Sequence, residues 1–136
     1  MMNSVTRVLV VDDNIDAAVM LAESLSLWGL DVVVAHTPVA ALDVVGTFVP
    51  EVALLDIGLP QMNGYELARR ITASCGACRL IAVTGFGGAD DRARAMAAGF
   101  AAFLVKPVNT TAILAAMGSE LDRDGTVSAS AMHRTR

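Results

Sequence analysis

The sequence predicts an α/β fold, a doubly wound sheet of five parallel strands with helices on both faces. Three observations carry this. Short apolar runs alternate with stretches of helical periodicity along the chain, the pattern of strand–helix–strand crossovers. Four of those runs are apolar on consecutive residues, as in strands buried on both faces. Each of the four ends in polar residues able to do chemistry: Asp12-Asp13, Asp56, Thr84 and Lys106.

The elements follow in order. Val5 to Val11 is the first strand. Ile15 to Trp28 carries apolar residues at Ile15, Ala18, Val19, Ala22, Leu25 and Trp28, a helical spacing. Gly29 stops that helix. Val32 to Ala35 is the second strand. Thr37 is an N-cap with Pro38 at the first helical position. That helix runs over Ala40 to Phe48 and closes before Pro50. Val52 to Leu55 is the third strand. Asn63 caps a helix from Gly64 to Ala73. Leu80 to Val83 is the fourth strand, and Ala89 to Ala98 the fourth helix, ended by Gly99. Ala102 to Val105 is the fifth strand. Asn109 caps a last helix, Thr110 to Leu121.

Length and composition bound the function. The chain has 136 residues, one domain with room for a core. The expected domain is residues 1–121, followed by a polar, disordered tail or linker over 122–136. Apolar residues make up 54% of the chain, yet no run approaches the roughly 18 residues of a membrane span. The N-terminus lacks the charged and apolar regions of a secretory signal, so the expected compartment is the cytoplasm. Net charge is −4. The sequence has no basic stripe, which argues against direct nucleic-acid binding.

Ligands of open parallel sheets bind at the carboxyl ends of the strands. Three carboxylates, a hydroxyl and an ammonium should therefore share one crevice. Mg²⁺ is a hard cation that takes oxygen ligands and keeps several waters. Asp13 and Asp56 are candidate direct ligands, Asp12 a ligand through water, and the Gly58 carbonyl a further donor. Without a cation the three carboxylates repel one another. With one, Asp56 stays anionic and can attack phosphorus to form an acyl phosphate. Phosphoryl transfer is mostly positioning and charge stabilisation. Lys106, as a compact point charge, and the Thr84 hydroxyl would then meet the equatorial oxygens.

These residues resemble the receiver domain of two-component response regulators, over about residues 5 to 121. The matching stretches are Val-Leu-Val-Val-Asp-Asp-Asn at 8 to 14 and Leu-Leu-Asp-Ile-Gly-Leu-Pro-Gln-Met-Asn-Gly-Tyr-Glu-Leu at 54 to 67. Val-Thr-Gly at 83 to 85 and Phe-Leu-Val-Lys-Pro at 103 to 107 complete the set. The wording is similar to receivers of hybrid histidine kinases or stand-alone single-domain regulators. The resemblance implies a flavodoxin-like strand order 2-1-3-4-5. It implies phosphorylation of Asp56 by a histidine kinase or histidine phosphotransfer domain, with Mg²⁺ on Asp12, Asp13, Asp56 and the Gly58 carbonyl. Thr84 and Lys106 would contact the phosphoryl group. The chain would catalyse only its own phosphoryl transfer and slow autodephosphorylation, and would signal to a downstream protein. A cis peptide is implied before Pro107, and a switch role for Thr84 and Phe103.

Departures from the family pattern are few. Phe103 stands where many relatives carry Tyr, so its tip cannot hydrogen-bond. Gly58 and Phe86 flank the phosphoryl position. Asn63 stands where the family often has Asp and caps a helix equally well.

Plainer readings exist for each residue. Asp12-Asp13-Asn14 resembles a helix cap, Thr84 a strand-end threonine, Lys106 a solvated strand end and Phe103 ordinary packing. The joint pattern favours the site. Cys75-Gly-Ala-Cys78 matches a redox spacing. It follows a helix, however, where the dipole disfavours a thiolate, so the expectation is two incidental thiols. A haloacid-dehalogenase-type phosphatase places its nucleophile on the first strand, whereas the isolated Asp56 is on the third. A pseudo-receiver would lack one of the site residues, and all are present.

Overall fold

The computed structural model describes residues 6–58, 62–85 and 87–118. Ten elements alternate: β1 (Arg7–Val11), α1 (Ile15–Leu27), β2 (Asp31–Ala35), α2 (Pro38–Phe48), β3 (Val52–Asp56), α3 (Gly64–Ser74), β4 (Arg79–Thr84), α4 (Ala89–Ala97), β5 (Ala102–Val105) and α5 (Thr110–Met117). The strands form one parallel sheet in the order β2-β1-β3-β4-β5.

The apolar runs are consecutive because each strand feeds two cores. Leu9, Val11, Ala53, Leu55, Leu80 and Ala82 face a core closed by Ala41 and Val45 of α2, Leu67, Ala68 and Ile71 of α3, and Ala95 of α4. Their neighbours Val8, Val10, Val52, Leu54, Ile81 and Val83 face a second core, closed by Ala18 and Leu25 of α1 and Ile113 and Leu114 of α5. Alternate side chains of a strand point to opposite faces.

Helix starts follow the short polar side chains. Asn14, Thr37, Asn63 and Asn109 accept from the backbone N–H groups of Ala17, Ala40, Glu66 and Ala112. Each satisfies a donor that the first turn leaves open. Gly29 (φ 86°) and Gly99 (φ 102°) take left-handed conformations after α1 and α4. Trp28 is the C-cap of α1 rather than its last turn.

The ends of elements shift slightly from expectation. Arg7, Asp31, Asp56, Arg79 and Thr84 join or bound their strands, because the ladder uses backbone groups whatever the side chain. Val49 closes α2 in a left-handed conformation (φ 51°). The Arg7 Nε–H donates to the Phe48 and Val49 carbonyls at 3.1 and 2.8 Å. Val5, the end of the last helix at 119–121 and the expected tail at 122–136 lie outside the described residues.

Gly64 opens α3 against β3. A Cβ there would lie 2.4 Å from the Ile57 Cα, and the Gly64 N–H donates to the Ile57 carbonyl at 3.2 Å. The obstacle is backbone and cannot rotate away. Gly64→Ala is expected to destabilise the fold by about 1–3 kcal/mol, read as a lower midpoint in urea unfolding. An unchanged midpoint would show that α3 can slide off β3 freely.

Candidate functional site

Parallel strands bring their carboxyl ends to one edge, and the register sets which residues meet there. β3 sits between β1 and β4, with Asp56 level with Val83. Asp12 continues β1, its N–H donating to the Ala35 carbonyl at 3.1 Å. One carboxylate oxygen of each of Asp12, Asp13 and Asp56 falls within 4.8 Å of the others. The sequence expectation that these three converge is thus met.

Asp12 and Asp56 are held in the same way. The Asn14 N–H donates to Asp12 Oδ1 and the Gly58 N–H to Asp56 Oδ1, both at 2.9 Å. These are Asx turns that fix the carboxylate against its own backbone. The second oxygen of each faces Lys106, whose Nζ donates to Asp12 Oδ2 and Asp56 Oδ2 at 3.2 Å each. The side chains of both aspartates are largely covered, at 12% and 13% exposure. Asp13 is exposed. The repulsion expected among the carboxylates is therefore partly offset by a lysine bridging two of them.

Lys106 is placed by backbone. Its N–H donates to the Thr84 carbonyl at 2.7 Å, and a cis peptide joins it to Pro107. Burial pulls its ammonium down. Hydrogen bonds and charge from Asp56 and Asp12 together outweigh that, and the net shift is upward. The sign follows: these pairs add stability at and below the ordinary lysine range. That stability is lost as pH climbs through the raised value.

Thr84 ends β4 beside Val105 and is buried. Phe103 is also buried, packed in the core with α2, α3 and α4. Gly58 is exposed beside Asp56. Phe86 lies outside the described residues.

Two features were not anticipated. The His36 Nδ1 lies 3.0 Å from the Asp12 carbonyl, so the ring donates from that nitrogen. A groove of about 620 Å³ runs from Asp12 and Lys106 along Ala17, Met20 and Leu21 of α1 to Thr110. Exposed Ile15, Val19 and Met20 lie on the same helix. The apolar surplus on α1 was the available signal, since its helical spacing includes residues the core does not need.

The two cysteines are free thiols away from this site. Cys75 closes α3. Burial, and to a lesser degree the Cys75 charge, push Cys78 up to about 12. At that value about one thiol in ten thousand is ionised at pH 8, and only the thiolate is nucleophilic. Iodoacetamide at pH 8 is expected to leave Cys78 unmodified in the folded protein and to label it fully in urea, read by peptide mass. Rapid labelling in the native state would contradict the burial.

A parallel sheet with three carboxylates and a bridging lysine at the β1/β3 crevice defines a class of α/β domain suited to a divalent cation and a phosphoryl group. The comparisons with known proteins name the family. The model described as response regulator receiver domain matches residues 8–118, and the chain belongs to that family. It is 32% identical over 117 residues to response regulator MprA of Mycobacterium avium, covering 86% of this chain and 51% of that protein. The match to MprA of Mycobacterium tuberculosis has the same identity and shares. The chain thus spans about half the length of the curated relatives it matches. Among solved structures, a CheY-like receiver domain protein from Methanospirillum hungatei superposes with a TM-score of 0.80 at 30% identity, over 88% of this chain and 96% of that one. A response regulator from Burkholderia pseudomallei, solved with a phosphorylated aspartic acid, calcium ion and citrate, gives 0.80 at 28%, over 90% and 74%.

Proposed function

We propose that this receiver domain is the phosphoacceptor of a two-component phosphorelay, with Asp56 as the acceptor. A carboxylate oxygen of Asp56 attacks the phosphorus of a phosphohistidine on a histidine kinase or histidine phosphotransfer domain. The O–P bond forms as the N–P bond breaks, and the imidazole leaves with the nitrogen electron pair. The observation that carries this reading is the convergence of Asp12, Asp13 and Asp56 around the Lys106 ammonium.

Mg²⁺ fits this donor set, which is all hard oxygen and carries more negative charge than Lys106 alone can balance. Asp12, Asp13, Asp56 and the Gly58 carbonyl are the groups that would hold it. When bound, it neutralises charge on the carboxylates and the incoming phosphoryl group. Lys106 is already within 3.2 Å of Asp56, so it can follow the transferred oxygens with a small movement. Thr84 contributes its hydroxyl from the end of the neighbouring strand. The relative from Burkholderia pseudomallei, with its phosphorylated aspartic acid and calcium ion, supports the same assignment. The groove along α1 offers the donor protein an apolar approach to Asp12 and Lys106, beside Asp56. The domain then signals to a downstream protein and loses its phosphoryl group slowly by itself. No helix of the described residues is long and apolar enough to cross a membrane. A cytoplasmic location is part of this proposal and rests on membership of the receiver family.

Incubation with acetyl phosphate and Mg²⁺ tests the reading. Intact mass should show one added phosphoryl group, lost on adding EDTA beforehand. No added mass with metal present would overturn it.

Thr84 and Phe103 are proposed as the switch: phosphate draws in the Thr84 hydroxyl and Phe103 rearranges. A phosphate shifts an equilibrium only through contacts that differ between states. Thr84→Ala should therefore still take up phosphate but show smaller NMR shift changes over residues 87–106. Changes equal to wild type would remove Thr84 from the coupling.

A further inference from the structure

α4 is the least anchored helix among the described residues. The other four helices are capped by Asn14, Thr37, Asn63 and Asn109, whereas Gly88 stands at the start of α4 with no side-chain cap. Within α4, Ala95 is the one buried side chain. A single methyl group gives little apolar area to hold nine residues in place.

Two arginines supply the missing attachment, one to each side. The Arg92 guanidinium carbon lies 4.8 Å from the centre of the Phe103 ring on β5. That of Arg94 lies 4.4 Å from the centre of the Tyr65 ring on α3. Both arginines are exposed, while Phe103 and Tyr65 are 5% and 7% exposed. Each guanidinium therefore lies as a lid over a buried ring. Among the described residues, neither arginine makes an ion pair within 4.0 Å, although Asp90 and Asp91 lie in the same helix. Tyr65 is held from elsewhere by Phe100, which it meets edge-on with centroids 6.4 Å apart, and its hydroxyl adds a second tie to α4 by donating to the Asp91 carbonyl at 3.3 Å. The approach to α4 is also tight: a Cβ at Gly87 would lie 2.6 Å from Val105 Cγ2.

We propose that Arg92 and Arg94 are positioning residues that clasp α4 to the domain, Arg92 through Phe103 of β5 and Arg94 through Tyr65 of α3. The stacks act beside the single buried Ala95 and the Tyr65 hydroxyl bond to hold α4 where it lies. A planar guanidinium stacks on a ring as an ammonium cannot. The clasps stand on geometry alone and do not depend on Asp56 accepting phosphate. They bear on the proposed switch because Phe103 serves both.

Hydrogen exchange on the full, metal-free chain tests this, with wild type, Arg92→Gln, Arg94→Gln, the double variant, Arg92→Lys, and Arg92→Gln in a Phe103→Leu background. Each single glutamine variant should speed exchange of the α4 amides about two- to fivefold, the strength of an exposed cation–π contact. The double variant should show the product of the two factors. Amides of α1 and α5 should be unchanged. Arg92→Lys should fall between wild type and Arg92→Gln, since an ammonium can still face the ring but loses the planar stacking. With Phe103→Leu in place, Arg92→Gln should add nothing further. The proposal is overturned if α4 exchange is unchanged in the double variant. It is equally overturned if all helices accelerate together, or if Arg92→Gln acts undiminished without the Phe103 ring.

Discussion

Asp56→Asn is expected to take up no phosphoryl group from acetyl phosphate under conditions where wild type shows one. The substitution is a narrow one. Asn keeps the oxygen that accepts the Gly58 N–H at 2.9 Å, so the turn after β3 survives. Lys106 keeps Asp12 as a partner at 3.2 Å. What is lost is the anionic oxygen, and an amide forms no acyl phosphate. The experiment decides something the geometry leaves balanced. Asp12 and Asp56 each give one oxygen to a local N–H and the other to Lys106, at matching distances. Distance alone does not say which of them is the nucleophile. Asp56 is chosen by its isolated place on the central strand and by family membership. Asp12→Asn should therefore still take up phosphate, though more slowly for want of a metal ligand. A mass increment equal to wild type in Asp56→Asn would move the nucleophile to Asp12 or Asp13, the other carboxylates within 4.8 Å.

The convergence of the candidate site's side chains was legible in the sequence because parallel strands deliver their ends to one edge. Asp12, Asp56, Thr84 and Lys106 each follow a run such as Val8–Val11 or Val52–Leu55, whose alternate members enter two different cores. That double burial makes the runs continuous and hence visible. Helix starts were legible for a similar reason, since Asn14, Thr37, Asn63 and Asn109 cap through short side chains close in sequence. What escaped was whatever joins residues distant along the chain. The symmetric bridge of Lys106 depends on how far a flexible side chain reaches. The stack of Arg92 on Phe103 joins a helix to the strand beyond it, and neither residue carries a local mark of the other. Val49 in a left-handed conformation was invisible too, because a β-branched residue is the least expected there. Phe103 was read as either packing or switch; its burial shows the packing, and the switch remains the proposed part.

Replacing Asp13 with Asn should separate the metal site from the helix cap. In the structure the turn into α1 is made by Asp12, which accepts the Asn14 N–H, and by Asn14, which accepts the Ala17 N–H. Asp13 is exposed, and the ion pairs of the site are made by Asp12 and Asp56. Its charge nonetheless lies within 4.8 Å of two others of the same sign. Removing it relieves repulsion and breaks neither the turn nor the Lys106 bridge. Without Mg²⁺ the variant should match wild type in stability or exceed it. On the proposed reading, Mg²⁺ binds the folded crevice and has no comparable site in the unfolded chain. Wild type should therefore gain about 2.7 kcal/mol when free metal is about a hundred times the dissociation constant. The variant, short of one ligand, binds more weakly and should gain clearly less at the same concentration. Thermal melts of both proteins in EDTA and in excess Mg²⁺ supply the comparison. A variant less stable than wild type in EDTA, yet raised as much by Mg²⁺, would make Asp13 a structural cap and remove it from the metal site.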